Sequence, residues 1–161
     1  MWDGGIVDLD LQPIVPISNH VEMDDSMPNV LNKLRNNSDY PALFKKAFGT
    51  SEINGTNFLK ALSQFMLLCN STHSKYDSVK LGLQSFSNIE NQGYQLFLQK
   101  CNVCHKEPLF TDFSFRNNGI GVGNVDDLGR GNVSGYAQDY YTFKVPSLRN
   151  LSYSAPYMHD G

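Results

Sequence analysis

Cys101-Asn102-Val103-Cys104-His105 is the stretch from which the rest of the chain is best read. Two thiols at this spacing can reach the two vinyl groups of a haem, while the adjacent imidazole swings under the iron. The motif therefore assigns Cys101 and Cys104 to covalent attachment of haem c, and His105 to an axial position on its iron. A chain with 3 Cys and 4 His would carry this pattern by accident in roughly one case in a thousand. A structural zinc site needs four ligands, usually including a second Cys/His pair, whereas Cys69, His20, His73 and His159 are scattered singly. A thioredoxin-like pair would open a helix after a strand. Here a helix precedes the motif.

That helix is announced by Ser87-Asn88-Ile89-Glu90, a capping box in which Ser87 takes the amide three residues on and Glu90 reaches back. Gly93, Leu96 and Phe97 then fall on one face at helical spacing. A short helix running into CxxCH is how c-type cytochrome domains begin. Upstream, the same signals recur. Residues 1 to 25 are interrupted by Gly4-Gly5, Pro13, Pro16 and Asn19, which allow at most a short helix or turn around Val7 to Gln12. Ser26 caps a helix with Pro28 in its first turn and Val30, Leu31 and Leu34 on its apolar face. A second starts near Asp39, carries Leu43, Phe44 and Ala47, and stops at Gly49. The longest is capped by Asn54, with Phe58, Leu59, Leu62, Phe65, Met66 and Cys69 recurring at three and four. Ser74 to Leu81 adds a short helix. Cys69, inside an apolar run, reads as a buried small hydrophobe.

Beyond His105 the character changes. Glycines at 119, 121, 123, 129, 131 and 135, interspersed with Asn and Asp, predict a long loop region, and loops of such length in a compact domain usually serve a ligand or a function. The expected fold class is thus mostly α, with long loops around the haem and little strand.

Bulk properties narrow the function classes. At 161 residues the chain suits one domain or two small ones. A net charge of −3 gives no general attraction to nucleic acid or to an anionic membrane. No apolar run is long enough to span a bilayer, and the first residues do not read as a signal peptide. Because haem c is attached outside the cytoplasm, a periplasmic location and an export signal elsewhere are expected, which makes the chain read as a fragment.

Three ordered blocks carry a family resemblance. Trp2-Asp3-Gly4 is followed by Gln12, Pro16-Ile17, Asn19 and Glu22-Met23; Cys101 to His105 is followed by Leu109-Phe110-Thr111-Asp112 and Asn118-Gly119. The third block is Phe143-Lys144-Val145-Pro146-Ser147-Leu148-Arg149-Asn150 with Ala155-Pro156-Tyr157-Met158-His159-Asp160-Gly161. Together they resemble, almost end to end, the bacterial di-haem cytochrome c peroxidase and MauG family. Members of that family have two haem domains, each with its own CxxCH. The resemblance therefore implies that residues 1–80 are the C-terminal part of a peroxidatic haem domain and residues 81–161 an electron-transfer cytochrome c-like domain. Two haems are expected in the full-length protein and one in this chain. The sixth ligand of the second haem, a Met in the peroxidases and a Tyr in MauG, is expected beyond Gly161.

The resemblance also implies roles. Glu22 aligns with the distal carboxylate that moves a proton between the two peroxide oxygens, general acid–base work worth roughly 10²- to 10⁴-fold. Gln12 aligns with an amide that orients peroxide, and Trp2 with an indole relaying electrons between the haems. Taken singly, these would be a solvated carboxylate, a surface amide and a core aromatic. Ser154 and Pro156 resemble positions that bind calcium through backbone carbonyls, which suit that hard cation. Lys144 and Arg149 are candidates for pairing with haem propionates, the alternative being solvated surface cations. Met158 and His159 are tempting as axial ligands, but the family keeps this His off iron.

The function so implied is reduction of hydrogen peroxide to water with electrons from a small periplasmic cytochrome c or cupredoxin, in a protein that is commonly a homodimer. Two alternatives stay open. One is a MauG-like oxidase acting on a protein substrate; the other is a non-catalytic c-type electron carrier, for which Glu22 and Gln12 would be idle.

Overall fold

The computed structural model describes residues 1–120 and 127–161. Gly121 and Gly123 of the glycine-rich stretch lie outside the described residues. The chain is mostly helical and divides into two compact units, one of Ile6–Asn70 and one of Met1–Gly5 with Ser71–Gly161.

The Ile6–Asn70 unit holds α1 (Ile14–Ser18), α2 (Met27–Arg35), α3 (Tyr40–Phe48) and α4 (Gly55–Leu68). The caps fall where the sequence puts them. Ser26 Oγ accepts from the Asn29 amide and Asn54 Oδ1 from the Asn57 amide, each satisfying one orphan N–H of a first turn. Gly49 ends α3 with φ 76°, a left-handed conformation that costs glycine nothing. The stretch around Val7 to Gln12 forms a turn, in which the Leu11 and Gln12 amides donate to the Asp8 and Leu9 carbonyls, and a short helix follows over 14–18. Pro13 sits at its N-cap position and Pro16 in its first turn, where a missing N–H breaks no helical bond.

The core of this unit is Ile17, Leu31, Phe44, Ile53 and Phe58, with Val30, Leu34, Leu59 and Leu62 packed against them. Ile53, only 1% exposed, lies at its centre. Its carbonyl accepts two bonds from the Arg35 guanidinium, at 2.9 and 2.6 Å. Cys69 is a correction: it is exposed. The apolar run outlasts the buried face of α4, because Phe58, Leu59 and Leu62 turn inward while Phe65, Leu67 and Leu68 stay exposed. Cys69 itself is the C-cap, past the last helical residue.

The second unit contains α5 (Lys75–Lys80), α6 (Asn88–Lys100), α7 (Gly131–Ser134), and the two-residue strands β1 (Phe115–Arg116) and β2 (Phe143–Lys144). The strands pair antiparallel, Phe115 opposite Lys144 and Arg116 opposite Phe143. Both helices α5 and α6 start with capping boxes, Ser74/Asp77 and Ser87/Glu90. Met1–Gly5 join this unit through the backbone. The Lys144 N–H donates to the Trp2 carbonyl at 2.8 Å, and Arg130 donates to the Asp3 and Gly4 carbonyls. Gly4 is buried at φ 68° against the Phe115 ring, so a side chain would meet both the left-handed strain and that ring. The compact division falls at Asn70/Ser71, and the first five residues go with the second unit.

Candidate haem c site

Helix α6 ends at Lys100, and Cys101 is its C-cap. The chain then folds through a tight turn in which the His105 and Cys104 amides both donate to the Cys101 carbonyl, at 2.9 and 3.2 Å. Cys101 is exposed, Cys104 half-buried, and both are unpaired thiols. The turn thus presents two thiols and an imidazole from five consecutive residues.

The imidazole is oriented from two sides. His105 Nδ1 lies 3.1 Å from the Phe110 carbonyl oxygen and 3.1 Å from that of Pro146. Carbonyl oxygens only accept, so Nδ1 is the donor in both contacts, and Nε2 is the nitrogen left to face a metal. A metal-ligating histidine characteristically has its other ring nitrogen held this way. The donor set fits haem c: two free thiols for the vinyl carbons and an oriented imidazole nitrogen for iron. Exposed apolar side chains near the motif, Leu96, Val103 and Leu109, suit a large apolar macrocycle.

The carbonyls that hold His105 belong to two segments laced together, rung by rung. Thr111 Oγ1 donates to the Val145 carbonyl at 2.5 Å, and Ser147 Oγ to the Leu109 carbonyl at 2.6 Å. Arg149 donates to the Pro108 carbonyl through Nε and Nη2, at 3.1 and 2.8 Å. The Phe110 ring is packed edge-on against Tyr76, centroids 4.7 Å apart, and against Phe97 at 5.4 Å.

Arg149 is more fully engaged than a propionate partner would be. Besides Pro108, it makes a bidentate pair with Asp77 at 2.9 and 2.8 Å and donates to the Ser71 carbonyl at 2.6 Å. All five N–H donors are taken, leaving none for a propionate. The guanidinium, with Ser74, holds the Asp77 carboxyl well below the usual carboxylate range. Lys144 keeps its ammonium over the Phe113 ring, 5.1 Å from the centroid.

Trp2, Thr111, Phe113, Lys144, Pro146 and Ser147 line one cleft of about 310 Å³. Pro146, one of the two residues that orient His105, thus lines the same cleft as Trp2. Gln12 and Glu22 belong to the other unit. Glu22 is exposed in the loop after α1, where Asn19 Nδ2 donates to its Oε1 at 2.7 Å and its own amide donates to the Asn19 carbonyl at 3.0 Å. Gln12 is half-buried in the turn before α1. Ser154 and Pro156 lie on an exposed segment. His159 stacks on Phe143 with centroids 3.6 Å apart. Among the described residues, no group of three or more His, Cys, Asp or Glu side chains gathers as a metal cluster.

Sequence reasoning missed the acceptors at Phe110 and Pro146, since a backbone carbonyl leaves no trace in residue type. It also missed Asp77, whose trace was the S-x-x-D pattern from Ser74.

Comparison with known proteins places these features. A family profile described as di-haem cytochrome c peroxidase matches residues 1–85. The methylamine utilization protein MauG of Methylorubrum extorquens is 38% identical over 99% of this chain and 46% of its own length. The cytochrome c551 peroxidase of Nitrosomonas europaea is 32% identical over 99% of this chain and 49% of its own. A crystal structure of a MauG-like protein associated with microbial copper homeostasis superposes with a TM-score of 0.83 at 27% identity, over 99% of this chain and 55% of that one. The chain spans about half the length of the curated relatives it matches. With a CxxCH turn that presents two thiols and an oriented imidazole, and with this kinship, the chain belongs to the di-haem cytochrome c peroxidase and MauG family of oxidoreductases, whose cofactor is haem c.

Proposed function

We propose that the full-length protein is a periplasmic peroxidase that reduces hydrogen peroxide to two waters, taking two electrons from a small cytochrome c or cupredoxin and two protons from solvent. The observation that carries this reading is the arrangement of Glu22. Its Oε1 is tethered by Asn19 while the residue stays exposed, which leaves Oε2 free to accept a proton from one peroxide oxygen and return it to the other. Such a positioned carboxylate contributes about 10²- to 10⁴-fold. Gln12 would orient the peroxide by hydrogen bonding. Trp2, which lines the same cleft as Pro146, offers an indole as electron relay. Bound haem would supply the redox chemistry, held in this chain by Cys101, Cys104 and His105.

Calcium at the Ser154 and Pro156 carbonyls, a second haem held by chain outside these residues, and assembly as a homodimer belong to the same reading. A MauG-like oxidase acting on a protein substrate is the second reading, favoured by the higher identity to MauG of Methylorubrum extorquens, 38% against 32% for the Nitrosomonas peroxidase. The test is made on the full-length protein exported with haem-maturation machinery. Haem is counted by mass and pyridine haemochrome, then reduced cytochrome c and peroxide are mixed by stopped flow. Two haems with rapid donor oxidation support the peroxidase. Two haems reacting with peroxide but oxidising no donor favour the MauG-like activity, and one haem inert to peroxide would leave only an electron carrier.

A further inference from the structure

Among the charged groups near the haem motif, Arg149 stands out because its donors all point into the protein. We propose that Arg149, with Asp77 and Ser147, is a positioning device for the His105 imidazole: it fixes the two carbonyls that accept from Nδ1 and thereby sets the reduction potential of the haem that His105 ligates. The inference rests on the haem c reading of the site and goes beyond it.

The geometry is a ladder with His105 as its middle rung. Residues 108–111 and 145–149 run past each other, tied at Pro108 by Arg149, at Leu109 by Ser147 Oγ and at Val145 by Thr111 Oγ1. Between those ties sit the Phe110 and Pro146 carbonyls, one from each segment, each 3.1 Å from Nδ1. Arg149 anchors the open end of the ladder to the N-terminus of α5, through Asp77 and the Ser71 carbonyl. Its guanidinium carbon also lies 5.4 Å from the centroid of the Phe110 ring, the side chain of one of the two acceptor residues. The Arg149 amide in turn donates to Ser147 Oγ at 3.2 Å, so the two neighbouring rungs at Pro108 and Leu109 are joined. A fork of five fixed donors does this; a lysine ammonium, with three donors on a flexible stem, cannot reproduce it.

The consequence for iron follows from hydrogen-bond chemistry. An Nδ1–H held firmly by carbonyls makes Nε2 a stronger donor, which stabilises the oxidised iron and lowers the potential. Loosening the ladder weakens that bond and raises the potential. A propionate partner would behave otherwise: its effect is that of its positive charge, and a charge-conserving replacement would leave the potential nearly where it was.

The test uses the full-length holoprotein and two variants that conserve charge, Arg149→Lys and Ser147→Ala. Covalent haem at Cys101 and Cys104 is first verified by mass in all three proteins. Spectroelectrochemical titration of the His105 haem should then show a higher midpoint in both variants, larger for Arg149→Lys. The expected size is up to a tenfold change in the oxidation equilibrium, about 59 mV for one electron. The Nδ1 proton should exchange with deuterium severalfold faster by NMR. Midpoints that stay put or fall, with haem attached, would overturn the positioning role. A parent protein lacking haem at these cysteines would remove the haem reading itself, before either variant is compared. Ser147→Ala deletes one hydroxyl on an exposed residue, so it tests the ladder even where Arg149→Lys fails to fold.

Discussion

His105 Nδ1 lies 3.1 Å from the carbonyl oxygen of Pro146, a residue 41 positions away in sequence. The imidazole of the CxxCH motif is therefore held in part by a segment remote from that motif. Removing the imidazole while leaving the thiols separates attachment from ligation. His105→Gly is expected to keep haem bound through Cys101 and Cys104 but to lose the imidazole-ligated absorption spectrum, and added imidazole should restore it. Haem lost along with the ligand, with the chain still folded, would mean that the thiols do not attach it independently.

Glu22 is held by one oxygen only, through Asn19 at 2.7 Å. Glu22→Gln keeps the shape and the contact but cannot shuttle a proton. In the full-length enzyme, peroxide turnover should fall by about 10²- to 10⁴-fold, while the rate at which donor reduces the His105 haem is unchanged. Equal loss in both rates would point to a structural role for the loop.

Helix starts were legible because caps are local chemistry. Ser26, Asn54, Ser74 and Ser87 each accept from an amide three residues on, as their positions implied. The CxxCH turn was legible for the same reason. What the sequence hid is pairing over distance. Strands of two residues are too short to show alternation, so nothing marked β1 and β2 or the attachment of Trp2 beside them. Arg149 was legible as a cation, but its partner Asp77 is 72 residues away and its other acceptors are carbonyls. Cys69 misled because periodicity continues past the point where α4 leaves the core.

Gly4 is where the first residues are locked to the second unit. Its φ of 68° and the adjacent Phe115 ring make Gly4→Ala costly: the left-handed backbone alone accounts for about 1–2 kcal/mol. The variant should release residues 1–5, and hydrogen exchange should report it at the Lys144 amide, which donates to the Trp2 carbonyl. Unaltered protection at that amide would show that the attachment does not depend on Gly4.

Ile53 and Cys69 make a matched pair. Ile53→Ala removes the most buried side chain of the Ile6–Asn70 core and should destabilise that unit by about 2–5 kcal/mol in urea unfolding followed by circular dichroism. Cys69→Ser alters an exposed C-cap and should stay within about 0.5 kcal/mol. A large loss at Cys69 would indicate that it is covered in the full-length protein.

Asp25 gives the pH dependence its sign. Lys33 Nζ donates to its carboxylate at 2.7 Å and Asn29 Nδ2 at 2.6 Å, and these bonds, with the Ser26 amide, lower its pKa from 3.8 to about 2. A carboxyl depressed in the folded state binds fewer protons there than when unfolded. Its stabilising contribution is therefore complete above pH 3.8 and disappears as pH falls towards 2. Asp25→Asn cannot make this contribution. It should be less stable than the parent at pH 7, and its melting temperature should fall less steeply than the parent's between pH 4 and pH 2, so that the two curves converge in acid. Because the pair is with Lys33 at the surface, 0.5 M salt should shrink the gap at pH 7. Parallel curves throughout would place the acid sensitivity on other carboxylates, with Asp77 and Asp112, both held well below the usual range by their partners, the next to replace.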